Sequence, residues 1–218
     1  MKKLYTLNTV NNFMEMIYLP FGVPFLEKNV DVEIINIMDD SLLSETRKSG
    51  KVTAEVCSKM LMYAKTAEAA GADGILTTCT SVNQATKQIK SFLNIPMINI
   101  EEPVAELAVK NGRKIGIIGT IPTSPLAMDY IIREKAEELD KEVAISHFVV
   151  EDAFDILCAG DRRKHDAMIN EMIQEVEKLV DVIVFSQISM SLVPIDKVSA
   201  PLYKIGTSGF EKIYSMMK

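Results

Sequence analysis

The chain has few of the residues that hold metals, staple secreted folds or grip phosphates. It carries two histidines, His147 and His165, which lie far apart with no paired ligand pattern around them, so no metal centre of ordinary spacing is expected. Its three cysteines, Cys57, Cys79 and Cys158, are an odd number at wide spacing with no CxxC and no visible secretory signal. That pattern argues against a disulfide framework and points to a reducing cytoplasm. No apolar run reaches the roughly 18 to 20 residues a bilayer span requires, so no membrane association is expected. Loops of the Gly-x-x-x-x-Gly-Lys-Ser/Thr and Gly-x-Ser-x-Gly types are missing, and Gly116-Ile-Ile-Gly119 lacks the spacing of a dinucleotide fingerprint. With a net charge of −6 and a single basic run, Arg162-Arg163-Lys164, the chain has no basic face for nucleic acid.

What is present is a repeat. The 218 residues, 48% hydrophobic and 25% charged, suit a soluble globular enzyme of one large or two small domains. Asp73-Gly-Ile-Leu-Thr-Thr-Cys-Thr-Ser81 aligns with Asp181-Val-Ile-Val-Phe-Ser-Gln-Ile-Ser189, and Lys3 to Thr9 aligns with Lys114 to Thr120. Val32-Glu-Ile-Ile pairs with Val143-Ala-Ile-Ser, and Ile95-Pro96 with Ala200-Pro201. Apolar runs of strand length alternate with helical periods, the pattern of a parallel α/β sheet. Strands are expected near residues 3–7, 32–37, 74–77 and 97–100, and again near 114–118, 142–148, 182–185 and 202–205. Helices are expected over 53–70, closed by Gly71, over 166–180, and from Pro103 toward Gly112, with a short amphipathic helix over 210–217. The first half then comprises residues 1–100 with 208–218, and the second 101–207.

Ligands of open parallel sheets bind beyond the carboxyl ends of the strands. Those ends carry Asn8 and Thr9 in the first half, with Thr78, Cys79, Thr80, Ser81 and Asn83. The second half offers Thr120, Thr123 and Ser124, with Ser186, Gln187, Ser189 and Ser191. Hydroxyls, amides and free backbone N–H groups make a cradle for a carboxylate or an enolate-like oxyanion. A thiol at a helix start is biased toward the thiolate, which singles out Cys79. Cys57 and Cys158, on helices with apolar neighbours, read as space-filling, and Met60 and Met62 as core. Helix capping is the commonest use of such hydroxyls, and their recurrence at matched places in both halves is what points to binding.

On these residues the chain resembles the aspartate/glutamate racemase superfamily, which includes hydantoin racemase, maleate isomerase and arylmalonate decarboxylase. The resemblance rests on residues 72–81, on Gly116-Ile-Ile-Gly-Thr120 with Thr123, and on residues 181–190, and it spans essentially the whole chain. It implies two pseudo-symmetric Rossmann-like (flavodoxin-like) halves, each with a four-stranded parallel sheet flanked by helices, and an active site in the cleft between them. It implies cofactor-independent proton transfer next to a carboxylate, with a cysteine after the third strand of each half, and a homodimer. Cys79 matches the first cysteine, Thr80 and Ser81 the carboxylate-binding pair behind it, and Thr120 and Thr123 the second-half binders. Gln187 stands where the second thiol belongs, and an amide exchanges no proton at neutral pH. Catalytic candidates are therefore Cys79 and Gln187, with Asn8, Thr9, Thr80, Ser81, Thr120, Thr123 and Ser189 as binders of a small carboxylate. Racemisation, single-cysteine decarboxylation and carboxylate binding without chemistry are all open on these residues.

Overall fold

Two apolar strand sets close two parallel sheets of the same topology. The computed structural model describes residues 1–218 and falls into two compact units, Met1–Ile100 with Gly206–Lys218, and Glu101–Ile205.

In the first unit, β1 (Lys2–Asn8), β2 (Val32–Met38), β3 (Gly74–Thr77) and β4 (Met97–Asn99) are arranged in the order β2-β1-β3-β4. β1 runs parallel to both its neighbours, with Leu4 opposite Ile34 and Gly74. A π-helix (Met14–Gly22) leads into α1 (Val23–Lys28), and α2 (Ser41–Ser49), α3 (Ala54–Ala69) and α4 (Asn83–Ile89) complete the crossovers. All four residues of β3 are buried, as expected for a strand covered on both faces. One face packs Leu7 and Ile75 against Leu42, Val56, Met60, Ala64 and Ala85. α3 begins where Thr53 accepts from the N–H of Val56 and is closed by Gly71, whose φ of 83° suits a residue without Cβ.

The second unit repeats the order as β6-β5-β7-β8, from β5 (Lys114–Gly119), β6 (Ala144–Val149), β7 (Val182–Phe185) and β8 (Leu202–Tyr203). Its helices are α5 (Glu102–Asn111), α6 (Thr123–Glu138), α7 (Ala153–Cys158) and α8 (Arg162–Val176). Ile118, Ile183 and Phe185 pack on Ile169, Ile173 and Val176 of α8. The buried Lys135 on α6 is paired with Glu102 at 3.2 Å and Glu138 at 2.9 Å; burial disfavours its charge, and the two carboxylates outweigh that and raise its pKa.

The chain returns to the first unit through α9 (Thr207–Met216). There Phe210 lies against Phe25, centroid to centroid 5.6 Å, and Phe25 meets the edge of Tyr214 at 5.8 Å. A Cβ on Gly209 would stand 2.5 Å from Cγ1 of Ile100, which is why this turn of the helix lies so close to the chain.

The repeat extends to side-chain roles. Asp73 precedes β3 and accepts from the backbone N–H of Lys3 at 2.7 Å. Its counterpart Asp181 precedes β7 and accepts from the N–H groups of Lys114 and Arg113 at 2.8 and 2.9 Å. Those two donors hold the Asp181 carboxyl below the ordinary carboxylate range. With the folded pKa below the unfolded one, the contribution is complete above about pH 4 and is lost as pH falls through the folded pKa. The stability gap between wild type and Asp181→Asn is therefore expected at neutral pH and expected to close on acidification, as read by urea unfolding at a series of pH values.

Several expected boundaries shift. α8 begins at Arg162 rather than 166, because the Asp161 carboxylate accepts from the Lys164 N–H at 3.0 Å and caps the helix a turn earlier; it ends at Val176 rather than 180. Strand β6 starts at Ala144 rather than 142, and α9 at Thr207 rather than 210. Met62 is 60% exposed rather than core, and Cys158 is exposed at the last residue of α7 rather than space-filling.

Candidate active site

In the first unit the polar end of the sheet is built in two layers. The inner layer is a network around the buried Asn8, which closes β1, and it reaches out to the exposed Asn36. Its Nδ2 donates to Thr6 Oγ1 at 3.1 Å, to the Ile37 carbonyl at 3.4 Å and to Asn36 Oδ1, while its Oδ1 accepts from the Thr78 hydroxyl. Asn8 is thus fully buried and its amide is spent inside the unit, positioning Thr78. Thr77 and Thr86 are joined at 3.0 Å beneath it, which ties the end of β3 to α4.

The outer layer follows directly. Cys79 is half-buried and extended (φ −121°, ψ 116°), and its carbonyl accepts from Val82 N–H at 3.3 Å to close the 3-10 turn Thr80–Val82 that runs into α4. Thr80 and Ser81 are half-buried beside it. Thr9 lies next to Asn8 with 1% exposure, and its Oγ1 has no hydrogen-bond partner. A buried hydroxyl without a protein partner is uncommon. Cys57, the other half-buried thiol, donates to Gln88 Oε1 at 3.3 Å, and burial pushes its pKa up.

In the second unit the equivalent end is closed by Gln187. Its Oε1 accepts from the Thr120 N–H at 2.7 Å, from Thr120 Oγ1 at 3.0 Å and from Ser124 Oγ at 2.9 Å. Ser124 and Ser186 are in contact at 2.9 Å, and the Ser186 hydroxyl donates to the Ile118 carbonyl at 3.1 Å. Thr123, the first residue of α6, is exposed, and Ser189 is half-buried in the 3-10 turn Ile188–Leu192. Ser191 is buried with an unpartnered Oγ. Lys204 donates to the carbonyls of Val193 and Ser191 at 2.9 and 3.4 Å, and burial lowers its pKa.

Gly119 is what lets this network close. A Cβ there would stand 2.5 Å from Ser124 Oγ and 2.6 Å from Ser186 Oγ. Gly119→Ala is expected to push the serines apart, release the Gln187 amide and cost about 1–3 kcal/mol, the usual range for an overpacked site. Urea unfolding reads that cost.

The structure thus places Cys79, Thr80, Ser81 and Thr9 together at one sheet end, and Gln187, Thr120, Thr123 and Ser189 at the other unit's sheet end. Ser124, Ser186 and Gly119 lock Gln187 in place. Their signal was present in the sequence only as small residues at matched strand ends. No three His, Cys, Asp or Glu side chains are grouped to hold a metal ion, and no helix is long and apolar enough to cross a membrane.

Comparison with known proteins agrees with this architecture. The Asp/Glu/hydantoin racemase family model matches residues 26–204. No curated protein sequence matches the chain. Among solved structures, an aspartate racemase homologue from Pyrococcus horikoshii is similar over 99% of this chain and 98% of its own, with a TM-score of 0.73 and 20% identity. The aspartate racemase of Picrophilus torridus is similar over 99% and 93%, with a TM-score of 0.65 and 13% identity. Unliganded arylmalonate decarboxylase is similar over 99% and 93%, with a TM-score of 0.58 and 12% identity. At these identities the likeness is one of fold.

Proposed function

Because this chain belongs to the Asp/Glu/hydantoin racemase family, we propose that it is a racemase-like isomerase that moves a proton at the carbon next to a carboxylate, with Cys79 as acid and base and no cofactor. The observation that carries this reading is the half-buried Cys79 thiol at the carboxyl end of β3, flanked by the hydroxyls of Thr80 and Ser81 and by the unpartnered Oγ1 of buried Thr9.

The thiolate takes the proton from the carbon and becomes a thiol, and the C–H electron pair moves into the carboxylate to give an enediolate. The planar enediolate turns over, the thiol returns a proton to the opposite face of that carbon and is again a thiolate, and the configuration is inverted. Hydroxyl donors at the site stabilise the charge that develops on oxygen. Thr80, Ser81 and Thr9 are assigned to the carboxylate. The same reading has the protein act in the cytoplasm as a homodimer on a small carboxylate, apart from nucleic acid and membranes.

A second reading is favoured by one observation, the locked Gln187 amide at the repeat-equivalent of Cys79. An amide cannot serve as the second base, and decarboxylation needs none. A carbon–carbon bond breaks, carbon dioxide leaves, the electron pair stays behind as an enediolate, and the Cys79 thiol protonates the carbon. Water then restores the thiol.

The test is proton NMR in heavy water on D- and L-aspartate, D- and L-glutamate, hydantoins and substituted malonates. Deuterium uptake by one of them that disappears in Cys79→Ala is expected. Uptake undiminished in Cys79→Ala would remove the role given to the thiol.

A further inference from the structure

We propose that Gln187 makes the polar end of the second unit a fixed hydrogen-bond donor, which selects substrates presenting a carboxylate or carbonyl oxygen there over those presenting an ammonium. The inference deepens the reading above and rests on it.

The direction of the amide is set by one bond. The backbone N–H of Thr120 has only a proton to offer, so the Gln187 atom 2.7 Å from it is the oxygen. The hydroxyls of Thr120 and Ser124 converge on that same oxygen at 3.0 and 2.9 Å. Thr120, Ser124 and Ser186 are all at least nine-tenths buried, and the Ser124 hydroxyl has the Ile121 carbonyl at 3.1 Å as a second acceptor, so it is the Thr120 N–H that depends on the Gln187 oxygen. Flipping the amide would set its NH2 against the Thr120 N–H in a buried place and leave that donor without an acceptor.

What the half-buried side chain then offers is Nε2, with two hydrogens and no lone pair. Oxygens of a carboxylate or carbonyl accept from it. An ammonium, which also has only donors, does not. The Gln187 carbonyl itself fills the donor set of Thr120 and Ser124, so this pocket is occupied by the protein's own acceptor and a substrate oxygen meets Nε2 instead. A thiolate in this position would take up a proton. The amide instead polarises an oxygen and leaves proton movement to other groups.

The experiment uses malonate and glycine as probes, two small molecules that share one carboxylate and differ in having a second carboxylate or an ammonium. Binding is followed by calorimetry, and by the side-chain NH2 resonances of Gln187 in nitrogen-labelled protein, assigned by their loss in Gln187→Glu. Wild type is expected to bind malonate at least about tenfold more tightly than glycine, a difference of about 1.4 kcal/mol, and malonate is expected to move those resonances. Gln187→Glu keeps the accepting oxygen for Thr120 and Ser124 but replaces the donor by a negative oxygen. It is expected to lose malonate by tenfold or more and to narrow or reverse the preference. Gln187→Leu, which keeps the volume and removes donor and acceptor alike, serves if the glutamate variant does not fold, and is expected to lose the preference.

Equal binding of the two probes by wild type, binding of neither, unmoved Gln187 resonances, or an unchanged ratio in the folded variants would overturn the proposal. These readouts need no turnover. Failure of deuterium uptake with this binding pattern intact would count against proton transfer at Cys79 alone, and uptake without the pattern would count against Gln187 alone.

Discussion

Phe210→Ala is expected to destabilise the first unit by about 3–5 kcal/mol, the largest stability effect of any single change considered, and to lower the melting temperature by roughly 10 °C. Phe210 is fully buried on α9, stacked at a tilt on Phe25 with centroids 5.6 Å apart. The same helix brings Gly209 against Ile100, Ile213 against Gly74 of β3, and Tyr214 to within 3.1 Å of Asp31. Lys2 reaches the carbonyl of Met217 at 3.1 Å. Removing the ring leaves a cavity in the middle of these contacts, and the surrounding strands cannot close over it without moving β3, which carries the Cys79 loop at its end. Glu211→Ala, one residue on and exposed, is the control and is expected to change stability by no more than about 0.5 kcal/mol. Denaturant unfolding followed by circular dichroism checks both. A loss below about 1 kcal/mol for Phe210→Ala would mean that α9 is not part of the first unit's core.

The second large effect is catalytic. Cys79→Ala is expected to lower the rate of deuterium uptake by about 10²–10⁴-fold, the range that a positioned general acid–base group supplies. The thiol's sheet end is ordered from beneath by Asn8, Thr78, Thr77 and Thr86, so truncating Cys79 at the surface leaves those buried bonds in place. The variant is accordingly expected to fold and to bind carboxylates much as wild type does. Cys79→Ser separates shape from proton affinity. A hydroxyl of similar size retains the packing but is a far weaker acid at neutral pH, so uptake is expected to stay near the Cys79→Ala level. Recovery in Cys79→Ser to near the wild-type rate would show that the residue contributes packing or a hydrogen bond and moves no proton.

Much of the architecture was legible because strands buried on both faces leave an unambiguous trace. β3 and β7 are short, wholly apolar except at their ends, and preceded by the matched Asp73 and Asp181, which explains why their bounds were read without shift. The segment Met14–Lys28 was not legible. It contains Pro20 and Pro24 and opens as a π-helix, whose spacing differs from the 3.6-residue period that marks a helix in sequence. Residues two apart on a helix point in nearly opposite directions, so Met60 and Met62 cannot both face the core. The repeat shows which position corresponds to Cys79 in the second half, and that Gln187 occupies it. The sense of its amide was out of reach. It depends on the backbone N–H of Thr120 coming within 2.7 Å, a consequence of how tightly Gly119 lets β5 and β7 end together. Asn8 was likewise visible as an amide at a strand end, but only the folded register shows Asn36 and Thr78 consuming it.

The measurement that bears most directly on the central claim is the stereochemical course of deuterium uptake in heavy water, read on each enantiomer of the substrate found. With Cys79 as the proton-moving side chain of a racemase-like isomerase, deuterium is expected at the carbon next to the carboxylate together with conversion of each enantiomer into the other, both lost in Cys79→Ala. Uptake with configuration fully retained would contradict the isomerase reading, since exchange without inversion isomerises nothing, and uptake that survives in Cys79→Ala would contradict the role given to the thiol.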